Sequence, residues 1–346
     1  MNEEKPLLEV HNLRVKFRTR KGEVTAASDV SFALSAGKTL ALVGESGSGK
    51  SVSAMSILRL LDENGYIDGG EILWNEDGRT IDLVKIDKEK MYGIRGNKIS
   101  VIFQEPMTAL NPVFTIKRQL SEPFLIHRKM QKRQAAQEAE KMLESVRIPN
   151  PKRVLAGYAH QLSGGMRQRV MIAMALACQP KILIADEPTT ALDVTIQAQI
   201  LDLMRSLQKE NGTAILFITH DLGVVNEMAD EVAVMYCGQV VEHAQTARIF
   251  SGKYSHPYTE GLLASIPALH KKSDRLEQIA GNVPSPLRLP KGCKFAPRCK
   301  YCTQKCVDEE PSLAEVNKRT GQRVRCFYPD KEQRKSDEHT KFVIRS

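Results

Sequence analysis

Apolar runs of strand length recur along this chain and are separated by segments with helical periodicity. Four runs are continuous enough for strands buried on both faces, namely 39–43, 181–186, 213–219 and 232–236. Shorter alternating runs within 7–43 and 66–103 predict further strands, and helical spacing within 116–180 predicts helices. Buried strands that alternate with helices predict an α/β fold with a mainly parallel sheet covered by helices.

Length and charge limit the class of protein. The chain has 346 residues, of which 42% are hydrophobic, and a formal net charge of +9. This length allows one large α/β domain and a smaller appendage. No apolar run approaches the roughly 18 residues that span a bilayer, and the N-terminus has no apolar signal region. We therefore expect a cytosolic protein unless another chain holds it at a membrane. The charge favours anionic partners and equally serves solubility.

The stretch Gly44-Glu-Ser-Gly-Ser-Gly-Lys-Ser51 connects a predicted buried strand to a predicted helix over 52–61. The pattern GxxxxGK[ST] in that context is a phosphate cradle, because its glycines let backbone N–H groups turn toward phosphate oxygens. Lys50 is predicted to reach the β- and γ-phosphates, and Ser51 to place its hydroxyl on Mg²⁺. The predicted nucleotide-binding residues of the loop are Gly44, Ser46, Gly47, Ser48, Gly49, Lys50 and Ser51.

Two carboxylates, Asp186 and Glu187, end the apolar run 181–186. A buried strand delivers such residues at its carboxyl end, where we expect them beside the phosphate loop. Asp186 suits holding Mg²⁺ through water, and Glu187 suits polarising the attacking water. Gln104 and His220 also follow apolar runs, but taken alone neither indicates a function.

A second candidate anion cradle lies at Leu162-Ser-Gly-Gly-Met166, before a helical segment. Ser163 suits a helix cap, and Gly164 and Gly165 expose N–H groups at the helix start. A helix entry that binds nothing is the alternative. Two anion cradles in one ATPase suggest two chains that share each nucleotide.

Together these motifs make the chain similar to the ATP-binding subunits of ABC transporters, from about residue 7 to residue 250. The corresponding elements are Walker A at Gly44–Ser51, the Q-loop at Gln104, the signature at Leu162–Met166, Walker B at Ile182–Asp186 with Glu187, the D-loop at Ala191–Asp193 and the switch histidine at His220. The resemblance implies an ABC-type P-loop ATPase core with an antiparallel β subdomain and a helical subdomain over about 105–180.

The resemblance also assigns roles that spacing alone does not. It implies catalytic roles for Glu187, His220 and Gln104, and it places Gln104 with Ser51 and Asp186 on Mg²⁺. It implies that Phe17 stacks on adenine. It further implies a head-to-tail dimer that binds two ATP molecules, each between the phosphate loop of one chain and Ser163 and Gly165 of the other.

A narrower resemblance, to the peptide and nickel importer branch, covers the C-terminal region. It rests on Ser255–Leu263, Gly281–Pro286 and Gly292–Cys299, and on Glu105–Pro112 after the Q-loop. It implies a nucleotide-binding domain over 1–255 and an extension over 256–346. It also implies a second, related ATP-binding subunit, two permease subunits and an extracytoplasmic peptide-binding protein, with this chain peripheral at the cytoplasmic face of the membrane.

Five of the seven cysteines crowd into the C-terminal region. In a reducing compartment such a cluster points to metal rather than to disulfides. The branch resemblance implies a 4Fe-4S cluster on Cys293, Cys299, Cys306 and Cys326, with zinc as the alternative metal. Cys302 departs from the branch spacing and is an alternative ligand.

The leading hypothesis is therefore an ATPase subunit that energises import of dipeptides or oligopeptides. Nickel or another small solute is the alternative cargo within the same branch. A non-transport ABC ATPase that acts on nucleic acid is less favoured, because the chain has one ABC core and no long coiled-coil insertion. We expect no nucleic-acid partner. A sensing module with a vestigial ATPase is disfavoured by the intact Lys50, Asp186, Glu187 and His220.

Overall fold

The computed structural model describes residues 5–76, 78–105, 109–190, 192–266 and 279–336. The strands are β1 Leu8–Thr19, β2 Gly22–Leu34, β3 Thr39–Val43, β4 Gly65–Glu76, β5 Arg79–Asp82, β6 Ile99–Ile102, β7 Ile182–Asp186, β8 Ala214–Thr219, β9 Glu231–Tyr236, β10 Gln239–Gln245, β11 Ala314–Asn317 and β12 Gln322–Val324.

Helices connect most of these strands. They are α1 Lys50–Ile57, α2 Lys88–Ile94, α3 Ile116–His127, α4 Lys132–Ser145, α5 Pro151–Ala156, α6 Gly164–Leu176, α7 Val194–Asn211, α8 Leu222–Met228, α9 Thr246–Ser251, α10 Pro257–Ala264, α11 Gln304–Asp308 and α12 Lys331–Ser336, with short 3₁₀ turns at Ala159–Gln161 and Ala296–Arg298.

The chain divides into two compact units, and one of them contains Leu8–Ala33, Leu40–Val84 and Thr219–Ser346. Here β2, β1, β4 and β5 form an antiparallel sheet in that order. The alternating runs 7–10 and 13–17 predict two short strands where β1 is continuous. The physical reason is a bulge: Asn12 has φ 49°, and the β1–β4 register shifts between His11 and Val15.

The same unit carries a second group of strands in the order β11-β12-β10-β9-β3. β3 pairs with β9 in parallel, while β9, β10, β12 and β11 pair antiparallel. This group of strands is therefore mixed, with a parallel β3–β9 pair and an antiparallel extension formed by β10, β12 and β11. The aromatic rings of Tyr236, Tyr258 and Phe295 pack together beside β9, with centroids 4.7–5.5 Å apart.

The other unit contains Met1–Leu7, Leu34–Thr39 and Lys85–Ile218. Its strands β6, β7 and β8 pair in parallel, as the sequence predicts for β7 and β8. Every residue of β7 is buried, which explains its uninterrupted apolar pattern. Helices α3 and α4 contact each other and both contact α5 and α6, and α6 also contacts β6. These helices form the predicted helical segment.

Among the residues that the structure describes, no helix is both long enough and apolar enough to cross a bilayer.

Candidate nucleotide-binding site

The predicted phosphate loop leaves the buried strand β3 and ends where α1 begins at Lys50. Gly49 is the N-cap of α1, with φ 97°, and no side chain in the described part of the chain caps this helix. The N–H groups of a first helical turn lack intrahelical partners and carry the positive end of the helix dipole. An N-terminus without a side-chain cap after a glycine loop suits a phosphate group.

Two glycines of the loop are required by close packing. A Cβ at Gly44 would collide with the carbonyl oxygen of Met235, and a Cβ at Gly49 would lie 2.5 Å from the carbonyl oxygen of Ala26. Gly49 also has a φ that L side chains rarely adopt. The backbone therefore approaches its neighbours more closely than a side chain would allow, and the loop is narrow.

Lys50 is buried, and its ammonium group donates to the carbonyl oxygens of Gly44 and Glu45 at 2.8 and 3.0 Å. The positive charge of Lys50 is therefore held at the start of the loop by these two carbonyl oxygens. Within the described residues the Ser48 hydroxyl oxygen is buried and has no hydrogen-bond partner. A buried cation, an orphaned hydroxyl group and a glycine cradle fit a phosphate-bearing nucleotide.

Three other predicted residues, Ser46, Phe17 and His220, belong to the unit that contains the phosphate loop, and each is exposed or half-buried. Ser46 is exposed and, together with Gly47, lines a cavity of about 260 Å³ that also includes Val24–Ala26 of β2. Phe17 is half-buried at the end of β1, where it pairs with Gly65 of β4, and a Cβ at Gly65 would lie 2.7 Å from the Phe17 ring. His220 follows β8 and is exposed.

The two predicted carboxylates, Asp186 and Glu187, belong to the unit that contains Lys85–Ile218. Asp186 ends β7 and is buried, and Glu187 follows with φ 45°. A non-glycine residue in this left-handed region is uncommon. The N–H of Glu187 donates to the carbonyl oxygen of Ile218 at 3.0 Å, which fixes its backbone beside β8.

The Glu187 carboxylate accepts two hydrogen bonds within this unit. The Gln104 amide donates to it at 3.1 Å and the Thr190 hydroxyl group at 2.9 Å. The structure therefore brings together two of the predicted residues, and it adds Thr190, which sequence reasoning missed. Its only signal is its position three residues after Glu187, where a turn brings side chains together.

Ser163 caps α6, as the sequence predicts, because its hydroxyl oxygen accepts from the N–H of Met166 at 3.4 Å. A Cβ at Gly165 would lie 3.0 Å from Ile196 of α7. In the D-loop, Asp193 caps α7 through the N–H of Ile196 at 2.9 Å. Ala191 of the D-loop and residues 106–108 of the segment after Gln104 lie outside the described residues.

Family models match several parts of the chain. A model described as "ABC transporter" matches residues 27–190, and a model of the C-terminal region of oligopeptide/dipeptide transporters matches residues 241–306. The oligopeptide transport ATP-binding protein AppD of Bacillus subtilis is 51% identical over 328 residues, which cover 94% of this chain and 98% of AppD.

The chain belongs to the ABC transporter family.

Other comparisons agree with this membership. A relative from Brucella melitensis, named for peptide import and ATP binding, is 52% identical over 326 residues, covering 92% of this chain and 96% of the relative. A solved dimeric ATP-binding cassette, in a post-hydrolysis state with ADP and Pi, is 27% identical with a TM-score of 0.61. It matches 69% of this chain and 98% of its own length. The ABC fold and its ATP-dependent chemistry therefore apply to this chain.

The C-terminal cysteines of this ABC protein lie close together. Cys293, Cys299, Cys306 and Cys326 line one cavity of about 10 Å³, and Cys302 packs in the adjoining apolar cluster. Burial raises the pKa of both Cys299 and Cys326 to about 12, and the nearby thiols act in the same direction. Burial therefore favours the neutral form of the Cys299 and Cys326 thiols.

The prediction of a 4Fe-4S cluster is wrong. Within the described ranges, no group of three or more His, Cys, Asp or Glu side chains is placed to hold a metal ion. The cavity between the cysteines has about the space of one water molecule. The same geometry gives no support to a zinc site, either on the four predicted cysteines or with Cys302 as a ligand.

Sequence reasoning also missed a set of contacts with the phosphate loop. Arg298 forms two hydrogen bonds with the Glu45 carboxylate, and the N–H of Glu45 donates to the Tyr258 hydroxyl group at 2.8 Å. Tyr258 and Arg298 each lie more than 200 positions from Glu45 along the chain, so no local sequence pattern marks these contacts.

Proposed function

We propose that this ABC protein is the ATP-hydrolysing subunit of a multi-subunit importer of oligopeptides. The observation that carries the proposal is its 51% identity to AppD over 94% of the chain. The match of residues 241–306 to the C-terminal region of oligopeptide/dipeptide transporters supports the same cargo. Nickel is the less favoured cargo, because the relatives compared above are named for peptides.

The chemistry of the site supports the ATPase part of the proposal. Bound ATP supplies the γ-phosphoryl group, and Mg²⁺ neutralises its charge. Lys50 would bind the β- and γ-phosphates, and Ser51, Gln104 and Asp186 would hold Mg²⁺. Glu187 would orient the attacking water and accept its proton.

The remaining site residues would act at the edges of the nucleotide. Phe17 would stack on adenine, and His220 would hold the γ-phosphate. Ser163 and Gly165 would contact the nucleotide bound by a second ATP-binding chain. Support for a shared nucleotide comes from the related cassette that was solved as a dimer with ADP and Pi. We propose that the second chain is a related, unequal ATPase.

The other proposed partners are two permease subunits and an extracytoplasmic peptide-binding protein, with this chain peripheral at the cytoplasmic face of the membrane. Closure of the ATPase pair on ATP and its opening after hydrolysis would drive transport. We propose a nucleotide-binding domain over 1–255, with a helical subdomain over about 105–180, and an extension over 256–346. The boundary at residue 255 comes from the resemblance to the family and not from the compact units of this structure, because Thr219–Ser346 belongs to the same unit as the phosphate loop.

Peptide uptake by the reconstituted complex tests the proposal. With Lys50→Ala we expect loss of ATP-dependent uptake of a labelled tri- or tetrapeptide. Lys141→Ala is a matched control, because this exposed lysine pairs only weakly with Glu138 on the surface of α4. Uptake that persists in Lys50→Ala, or uptake of Ni²⁺ instead of peptide by the wild-type complex, would contradict the assignment.

A further inference from the structure

The phosphate loop is tied to the C-terminal region by a bidentate ion pair. The guanidinium group of Arg298 donates to both Glu45 carboxylate oxygens, at 2.7 and 3.1 Å. The Arg298 side chain is only 4% exposed, while the Glu45 side chain is 32% exposed. Paired planar hydrogen bonds of this kind fix geometry as well as charge.

Arg298 is itself held firmly in place. It ends the 3₁₀ turn Ala296–Arg298, and its Nε donates to the carbonyl oxygen of Ala280 at 3.1 Å. Its guanidinium group also lies near the rings of Tyr236 and Phe295, at 5.8 and 5.9 Å from their centroids. The arginine is therefore pre-positioned by its surroundings, and the position of Glu45 follows from it.

Glu45 connects this anchor to the residue that binds phosphate. Its N–H donates to the Tyr258 hydroxyl group, and its carbonyl oxygen accepts from the Lys50 ammonium group at 3.0 Å. A displacement of Glu45 would thus change the position of Lys50. The Glu45 carboxylate is also a negative charge within a loop that must receive a polyanion, and without a counter-charge it would repel phosphate.

We propose that Arg298 is a positioning residue for nucleotide binding, which neutralises the Glu45 carboxylate and fixes the phosphate loop in its binding conformation. The C-terminal segment 280–298 thereby sets the affinity of the loop for ATP. This inference rests on the proposed function only in requiring that the chain binds ATP.

The test is titration of the purified full-length chain with a fluorescent ATP analogue. We expect Arg298→Ala to raise the Kd about tenfold, since a charge-assisted hydrogen-bond pair is lost and a bare carboxylate is left. Arg298→Lys, which keeps the charge without the fork, should restore part of the affinity. Arg298→Ala with Glu45→Gln should restore more, because the repulsive charge is gone.

The matched control is Arg325→Ala. Arg325 is also buried and donates to a carboxylate, that of Asp29 in β2, at 2.9 Å, but this pair lies outside the phosphate loop. We expect this variant to lose thermal stability and keep the wild-type Kd. Hydrogen exchange gives a readout that needs no nucleotide: amides of residues 45–49 should exchange faster in Arg298→Ala than in Arg325→Ala.

The outcomes separate the two proposals. An unchanged Kd in Arg298→Ala, or an equal rise in Arg325→Ala, would overturn the positioning role alone. A wild-type chain that does not bind the analogue would overturn the proposed function as well. If Arg298→Ala does not fold, Glu45→Gln decides, because it keeps an acceptor for Arg298. A Kd within about twofold of wild type, or tighter, supports the neutralisation of Glu45, and a tenfold rise contradicts it.

Discussion

The amide of Gln104 donates a hydrogen bond of 3.1 Å to the carboxylate of Glu187, so that the residues that follow β6 and β7 are joined at the same end of these strands. Glu187 has φ 45°, and its backbone is held by Ile218. Its carboxylate also accepts from Thr190. Two hydrogen bonds to the carboxylate and one from the backbone N–H therefore orient this side chain.

We expect Glu187→Gln to bind ATP normally and to hydrolyse it about 10²–10⁴-fold more slowly, because a positioned base is removed while the shape of the side chain is kept. Single-turnover ATP hydrolysis by the reconstituted complex measures this effect. The second ATP-binding subunit must carry the same change, so that its site does not mask the result. Hydrolysis at a near-normal rate would show that Glu187 is not the base.

The sequence predicts the local parts of the site and not the parts that join distant segments. The loop from Gly44 to Ser51 follows from its own pattern, because strand, glycines and helix are adjacent in the chain. The pair of Arg298 and Glu45 is separated by 253 positions and leaves no periodic signal. The cysteine prediction fails for a related reason: spacing describes neighbours in sequence, whereas cavity size decides whether thiols can bind a metal.

The strands, too, are predicted where the sequence pattern is local and unbroken, and missed where it is interrupted or short. Strands β7 and β8 are predicted correctly because every residue in them is buried and their apolar runs are unbroken. The continuity of β1 is not predicted, since the bulge at Asn12 interrupts the alternation of apolar and polar residues. β11 and β12 have four and three residues, too few for a periodic pattern.

We expect Phe17→Ala to weaken ATP binding several-fold or more. Stacking of an aromatic ring on a base contributes roughly 1–3 kcal/mol, and the half-buried ring leaves part of its surface open to a ligand. Phe17→Tyr is the conservative control and should bind normally. A Phe17→Ala protein that melts at a lower temperature but binds the ATP analogue with unchanged Kd would show that Phe17 is only a core residue packed over Gly65.

We expect Gly49→Ala to abolish detectable ATP binding by the folded chain. A Cβ at this position would lie 2.5 Å from the carbonyl oxygen of Ala26, and the φ of 97° is strained for alanine. Gly212→Ala is a matched control, because Gly212 also has a positive φ, of 64°, but a Cβ there meets no atom of the described residues within 4 Å. That variant should lose some thermal stability and keep its Kd, and equal loss of binding in both would contradict the steric argument.

The pH dependence of stability should reveal the buried histidine at the start of α10. Burial, together with the positive charges of Arg334 and Arg325, lowers the pKa of His256 to about 3. Below pH 6.5 the unfolded chain then binds a proton that the folded chain excludes, so stability falls with falling pH by at most about 1.4 kcal/mol per unit. Glu242 accepts a hydrogen bond from the backbone N–H of His256, and burial raises the pKa of its carboxyl group to about 7. It therefore acts in the opposite direction between about pH 4.5 and 7.

The control variant is His256→Asn, which keeps a capping acceptor for the N–H of Tyr258 and does not titrate. Since both proteins contain Glu242, its contribution cancels in the comparison. Urea midpoints at pH 7, 6 and 5 should fall more steeply in wild type than in His256→Asn, and parallel curves would show that His256 is protonated in the folded chain.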